Sequence, residues 1–517
     1  MNMQQKRTLD DDGLEDRGGK TFVLQAVATL LCGRTGTSKI AMVLLALLVT
    51  PATASVTISP NATKNMTCTG GVCSPTKSTA VLNVSDLETM LASGSVTVTT
   101  TGTAQATNIA VAASLTWSSP NNLTLSATQT IGVYAPMSVT GKGGLTLNDA
   151  GTESLAFYGG ANVTFAKLSS PLTINGNSYV LVNNIAGLAA ATNANPSGDY
   201  ALANSYNAGQ DGTYSTAPVQ TPGNWFTGVF EGLGNTISNL TIVDGTPSAA
   251  CDGLIFSIYS PIISNVGMVN VSITSTGDQG ANGAGAVACG PNANSLVWRS
   301  YATGTITMGR LDGAGGLCAC GGAIVQSWAN VAISGGQASS FGGLTSGAKL
   351  IDQSFSMGSV SCTVGFCQLG GLSIGVGQGG KIMNSYSVGA VTDGGPGGDD
   401  SQIGGLLSQT DAEGSVVQSY AAGKITTPDS GCNNNTDCIG GLYGVENGTS
   451  NNDVYWDATT TGVNVAAGNE GSDPGTKGLK NSKFIKKLPK GLDKKIWAQN
   501  PTINNGLPYL IANPPPH

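Results

Sequence analysis

Five copies of Gly-Gly-Leu, beginning at Gly315, Gly342, Gly370, Gly404 and Gly440, recur at intervals of 27, 28, 34 and 36 residues. Between them runs a second motif, serine then an aromatic then small residues: Ser300-Tyr301-Ala302, Ser327-Trp328-Ala329, Ser354-Phe355-Ser356, Ser385-Tyr386-Ser387 and Ser419-Tyr420-Ala421. Its intervals are 27, 27, 31 and 34 residues, and both motifs keep their order through all five units. A degenerate earlier unit fits the same register at Ile263-Ser264-Asn265-Val266-Gly267-Met268-Val269. Repeats of this length, with two or three short strands each, suit the coils of a parallel β-helix. Long i, i+3, i+4 apolar stripes, which a helical repeat needs, are missing. One coil cannot bury its apolar face alone, so each must stack on its neighbours at about 4.8 Å.

Alternation then raises the question of facing. In Ser385–Val391, a period of two sets Ser385, Ser387, Gly389 and Val391 on one side, with Tyr386, Val388 and Ala390 on the other. If the small residues fill a narrow interior, Tyr301, Trp328, Phe355, Tyr386 and Tyr420 form an external column that could bind a glycan. If the facing is reversed, the same five rings are a stacked core ladder. Both readings stay open at this stage.

Upstream, Ser85-Asp86-Leu87-Glu88 reads as a capping box opening a helix over Asp86–Leu91. Strands are predicted at Val96–Thr100, Ile109–Leu115, Leu123–Ala127, Ile131–Val133, Met137–Thr140 and Leu145–Leu147, separated by Gly, Pro and Asn. A short helix is expected at Val180–Ala191, and a loop-rich insert after it. Phe226–Leu240 restarts the strands.

Composition bears on what such a rod could do. Of 517 residues 74 are glycine, 10% are charged, and histidine occurs once, at His517. That count argues against Ser-His-Asp and Cys-His catalysis, His-ligated zinc and HExxH metalloprotease chemistry. A net charge of -7 gives no general attraction to nucleic acid. No cofactor and no metal site is expected. Asp352, Asp399, Asp400, Asp411 and Glu413 are the carboxylates available for polysaccharide hydrolysis, with Lys349 and Lys381 the nearby bases. No carboxylate recurs at one register, so they read as turn residues; Asp393, Asp399 and Asp400 match no calcium-loop spacing.

Ile40–Val49 is a ten-residue apolar run behind Arg34 and Lys39, followed by Ala52-Thr53-Ala54 and cleavage before Ser55. That is the order of a secretory signal, here with a long n-region holding a second apolar stretch, Thr21–Cys32. A membrane anchor is the competing reading, but ten residues fall short of the roughly 20 a bilayer requires. Cleavage would remove Cys32 and leave ten of the eleven cysteines. Close pairs at Cys68/Cys73, Cys318/Cys320, Cys362/Cys367 and Cys432/Cys438 suggest small disulfide loops. Cys251, Cys289, Cys318 and Cys320 could instead pair between successive units.

Eight of the 23 basic residues, Lys477, Lys480, Lys483, Lys486, Lys487, Lys490, Lys494 and Lys495, fall within nineteen positions that hold one acid, Asp493. Phe484, Leu488, Leu492, Ile496 and Trp497 interleave with them. A partly helical cap over the open end of the solenoid, broken at Pro489, is expected because a bare final coil exposes strand edges. The alternative is a patch for lipid or anionic glycan.

The Gly-Gly-Leu units with Ser-Tyr-Ala/Ser resemble GLUG-motif repeats of bacterial filamentous-haemagglutinin-like exoproteins. Phe226–Ile242 is similar to their lead-in, Leu82–Val98 to the β-helix region upstream, and Tyr455-Trp456-Asp457 with Trp497–Leu510 to their closing segment. The resemblance covers about residues 80–515. It implies an all-β, secreted, right-handed parallel β-helix acting in adhesion or surface attachment. Its partners would be host or environmental glycans or surfaces, with an outer-membrane partner transporter for export. A secretion-domain motif and a C-terminal barrel or wall anchor are not recognisable.

The expected organisation is a leader at 1–54, a cap segment at 55–80, a first β-helix section at 81–178 and a helical or loop insert at 179–225. The repeats follow at 226–450, and a Lys-rich C-terminal helical cap at 451–517. Non-enzymatic adhesion is the favoured function; a polysaccharide-active β-helix enzyme or a purely structural stalk are the alternatives.

Overall fold

A computed structural model describes residues 54–516 except 150–154, 222–224, 247–250, 257, 278–282, 291–293, 396–399, 429–437 and 471–472. The expected signal segment therefore lies outside the described residues, apart from Ala54. The chain is a parallel β-helix, built from three long stacks of short strands. One stack is a 16-stranded sheet, one a 15-stranded sheet and one a 7-stranded sheet, with smaller sheets at the corners and at the N-terminal end.

Register rows show why the fold closes. Ile263, Val297, Ile324, Ile351, Ile382 and Val416 face one another in successive coils and are fully buried. Ile306, Ile333, Val360, Val391 and Ile425 form a second inward row. The leucines of the Gly-Gly-Leu copies, Leu317, Leu344, Leu372, Leu406 and Leu442, are all fully buried. A fully buried Leu contributes about 1.5–3 kcal/mol, so each coil adds a similar increment by stacking.

The two glycines of that motif answer to close approach. A Cβ on the second glycine would lie 2.2 Å from the next coil's Gly371 oxygen at Gly343, and 2.1 Å from Gly405 oxygen at Gly371. The same Cβ would meet the small residue that follows the aromatic: Ser356 at Gly343, Ser387 at Gly371, Ala421 at Gly405. The repeated glycine and the repeated small residue are therefore two sides of one contact.

A serine ladder turns the corner before each aromatic. The Ser327 hydroxyl donates to Val325 oxygen and accepts from Ser300 N–H; Ser354, Ser385 and Ser419 repeat the pattern on the next coils. Just ahead of these serines, Arg299, Gln326, Gln353, Asn384 and Gln418 all adopt φ between 46° and 49°. Left-handed backbone at a non-glycine residue is costly, and the ladder bonds on either side hold it in place.

The N-terminal coils follow the predicted strands closely. Ile131–Val133 is a strand as expected, and Leu115–Trp117 is a separate strand from Asn108–Val111, with a corner between them. The helix spans Val84–Ser93, and its cap is Asn83 instead of Ser85. The Asn83 side chain accepts from Ser85 and Asp86 N–H, while Glu88 reaches sideways to accept from Thr116 N–H of the next coil. Asn83 ends a strand in extended backbone, the geometry an N-cap needs.

Residues 179–225 differ from expectation. Asn177–Val182 is a strand, and the helix begins later, at Ile185–Ala194. Asp199–Leu202 then pairs in parallel with Asn177–Val182 and with Val229–Glu231, so this stretch supplies strands to the 16-stranded sheet and does not interrupt it. Asn177–Val182 runs antiparallel to Leu172–Ile174, which joins the earlier coils to the later ones by a reversal. Burial of the adjacent Leu181 and Val182 at the end of this strand outweighs the alanine-rich helical propensity that follows.

Candidate functional site

The aromatics of the repeat stand in one register row, Tyr301, Trp328, Phe355, Tyr386, Tyr420 and Tyr455. The first five rings are parallel within 8°, with centroids 4.6, 5.9, 4.7 and 5.0 Å apart. The residues after them, Ala302, Ala329 and Ala421, belong to the coil interior. The rings thus lie on the outer flank of the coils, in a separate apolar cluster. Of the two facings the alternation allowed, the outward one is observed.

Outward, however, is not exposed. After Val454–Asp457 the chain adds one more strand, Thr476–Leu479, and then turns back along the flank. Phe484, Leu492, Trp497, Leu507 and Leu510 pack into the same cluster as Phe355, Tyr386, Tyr420 and Tyr455. Trp497 sits 5.9 Å from the Tyr386 ring and 5.7 Å from Tyr420, and Phe484 sits 5.5 Å from Tyr420. Trp497–Ala498 pairs antiparallel with Tyr509–Leu510 to stiffen this cover. Asn513 donates to Ser327 and Gln353 oxygens, which carries the strap to the level of Trp328.

Two expectations are corrected by this arrangement. Phe355, Tyr386 and Tyr420 have no exposed surface, so they cannot serve as a binding platform here; Tyr301 and Trp328 stay half-buried. The Lys-rich segment is not a helical cap over the open end. Its start, Thr476–Leu479, is the last strand of the 15-stranded sheet, its helix is the single turn Asn481–Phe484, and the residues after it lie along the side of the rod. The reason is its interleaved apolar residues, which find a larger apolar surface on the aromatic flank than a strand edge offers. Lys483, Lys486, Lys487, Lys490, Lys494 and Lys495 are all exposed, so the strap presents a basic outer surface. Burial pushes the Tyr386 and Tyr420 phenols well above their usual range, so both are neutral.

The most exposed aromatics are ones the repeat does not mark. Trp225 and Tyr259 are 44% and 51% exposed and meet edge to face at 5.8 Å on neighbouring coils. Tyr134 stacks on Tyr158 at 4.6 Å, and the Arg299 guanidinium lies 5.8 Å from Tyr158 and 5.7 Å from Trp298. Neither group recurs at a fixed interval, so periodicity could not single them out.

The cysteines pair as Cys68–Cys73, Cys251–Cys289, Cys318–Cys320 and Cys362–Cys367. Cys438 is also disulfide-bonded, and Cys432 lies outside the described residues. Cys251–Cys289 ties two coils together; the others close short loops. Among the carboxylates weighed for hydrolysis, Asp352 accepts from Asn384 of the next coil, as part of the corner. Asp400, Asp411, Glu413, Lys349 and Lys381 are exposed, Asp393 is buried, and Asp399 lies outside the described residues. Among the described residues no group of His, Cys, Asp and Glu is placed to hold a metal ion, and no helix is long and apolar enough to cross a membrane.

Fold and flank together define the class: a parallel β-helix whose lateral aromatic stack is sealed by its own C-terminal segment. Among solved structures, one named IgA1 Protease is similar at 17% identity and a TM-score of 0.35, over 52% of this chain and 21% of that one. A Bacteroides ovatus structure named for an immunoglobulin A1 protease is similar at 16% identity and a TM-score of 0.31, over 61% of this chain and 93% of that one. This chain therefore spans about a fifth of the length of the first. No family model and no curated protein matches the chain.

Proposed function

We propose that this protein is an exported, non-enzymatic β-helix of adhesin type that binds glycans or surface ligands through side chains on its outer flank. Carrying the reading is the exposed pair Trp225 and Tyr259, two large aromatics held on adjacent coils of a rigid scaffold. Exposed aromatic faces are costly unless they meet a partner, and sugar rings stack on such surfaces. The disulfides favour an oxidising compartment, in keeping with export. The exposed lysines of the strap would add attraction to anionic surfaces, weakening as salt rises.

A glycan array with the mature chain, beside Trp225→Ala and Tyr259→Ala, tests the proposal. Binding that falls at least tenfold in either variant supports it. Absence of binding to any glycan, cell or surface overturns it.

A further inference from the structure

One buried acid occupies a position that every other coil fills with an apolar side chain. Asp252 is in register with Ala284, Ala314, Phe341, Leu369 and Ile403, all fully buried in the solenoid interior. Asp252 itself is fully buried, and the side chain placed against its carboxylate is the Ser275 hydroxyl. Ser275, in register with Asp244 one coil earlier, is also fully buried. The charged groups acting on Asp252 are Asp244 and Asp312, both acidic and both buried. The strands packed on Cys251–Asp252 are Gly283–Gly285 and Ala288–Gly290. Their one titratable type is Cys289, which is bonded to Cys251. A carboxylate in this setting is costly to ionise while the coils around it stay closed.

We infer that Asp252, set beside Asp244 and Asp312, is a proton-operated latch: with Asp252 neutral the coils around it stay closed, and its ionisation loosens them locally. Burial is the main cause that pushes the Asp252 carboxyl up to about 6, from 3.8; nearby Ser275 opposes the rise, and Asp244 and Asp312 add to it. The sign follows from a raised native value. The contribution of Asp252 to closure is fully present below the unfolded value near 4 and is lost as pH climbs through about 6. A rise of about two pH units corresponds to roughly 100-fold in the closed-to-open ratio. The latch acts within the rod, away from the exposed aromatics, and does not depend on the adhesive role.

Hydrogen exchange of the full chain, corrected for intrinsic rates and followed between about pH 4.5 and 8, tests it. Peptides covering Cys251–Asp252 and Gly283–Gly290 should lose protection by roughly 10- to 100-fold across that range, while Leu123–Ser126 stays constant. Asp252→Asn and Asp252→Leu, the latter matching the apolar row, should flatten the profile. Constant protection in the wild type overturns the latch, as does a dependence that survives both variants or vanishes in Glu231→Gln alone. Protection restored at high pH by millimolar calcium also overturns it, because the carboxylates would then be holding a cation.

Discussion

The Tyr420 hydroxyl donates to the backbone oxygen of Pro508 at 2.6 Å and accepts from Asn504 at 2.9 Å, joining the fifth ring of the column to the strap that seals it. Tyr386, one coil away and equally buried, has no partner for its hydroxyl. The two phenols are therefore energetic opposites. Tyr420→Phe should cost about 1–2 kcal/mol, whereas Tyr386→Phe should be neutral or stabilising, as Phe355 in the same row suggests. Urea denaturation midpoints of the two variants check this; equal losses would contradict it.

Removing the strap should expose Phe355, Tyr386, Tyr420 and Tyr455 as one contiguous apolar face. A chain ending after Leu479 should keep its strand content by circular dichroism yet bind a hydrophobic dye and self-associate. The milder Trp497→Ala should cost about 3–5 kcal/mol. A monomeric truncated chain that binds no dye would show that the cover is not needed.

Within the coils, the close-approach glycines should be intolerant where open ones are not. Gly371→Ala places a Cβ 2.1 Å from Gly405 oxygen and 2.5 Å from the Ser387 hydroxyl, so it should cost several kcal/mol, on the order of 3. Gly347→Ala meets nothing within 4 Å and should be neutral to slightly stabilising. Thermal midpoints of the pair read the difference directly.

Serines divide in the same way. Ser354 bridges two coils through its hydroxyl, so Ser354→Ala should cost about 1–3 kcal/mol by leaving the Ser327 N–H buried and unpaired. Ser387 has a buried hydroxyl with no partner, at a position held by alanine in three other coils, so Ser387→Ala should stabilise by about 1 kcal/mol. A loss at Ser387 matching that at Ser354 would refute the assignment of the ladder.

Glu231 should make the junction near residue 230 sensitive to alkali. Burial pushes its carboxyl from 4.5 up to about 7, opposed by the Ser264 hydroxyl, Leu233 N–H and Asn265 amide, all of which donate to it. Its native value is raised, so the contribution is fully present below about 4.5 and is lost as pH rises through about 7. Between pH 5 and 8 the wild type should lose up to roughly 3 kcal/mol at this site, and Glu231→Gln should lose less. Denaturation midpoints across that range decide the matter.

What could be read from residue order was whatever repeats. Gly-Gly-Leu and Ser-aromatic-small recur because each coil sees the same neighbour on either side, so the interval encodes the stacking directly. The strand at Ile131–Val133 was legible for the same reason, its alternation being local. Caps and boundaries were less so: Asn83 took the role assigned to Ser85 because it ends a strand already in extended backbone. The stretch 179–225 misled because its alanines favour a helix, while burial of Val182 and Leu202 draws the flanking segments into the sheet.

Only the folded chain decided what happens to the aromatic column. Period two separates Tyr386 from Ser387 but is silent on which of them meets a later part of the chain. The strap's apolar residues lie about 30 to 155 positions beyond the rings they cover, and no interval links them. The position of Asp252 is likewise a matter of register between coils, visible once Ala284 and Ala314 stand beside it. Periodicity determined the rod; contacts between segments of different period determined which of its surfaces remain open to a partner.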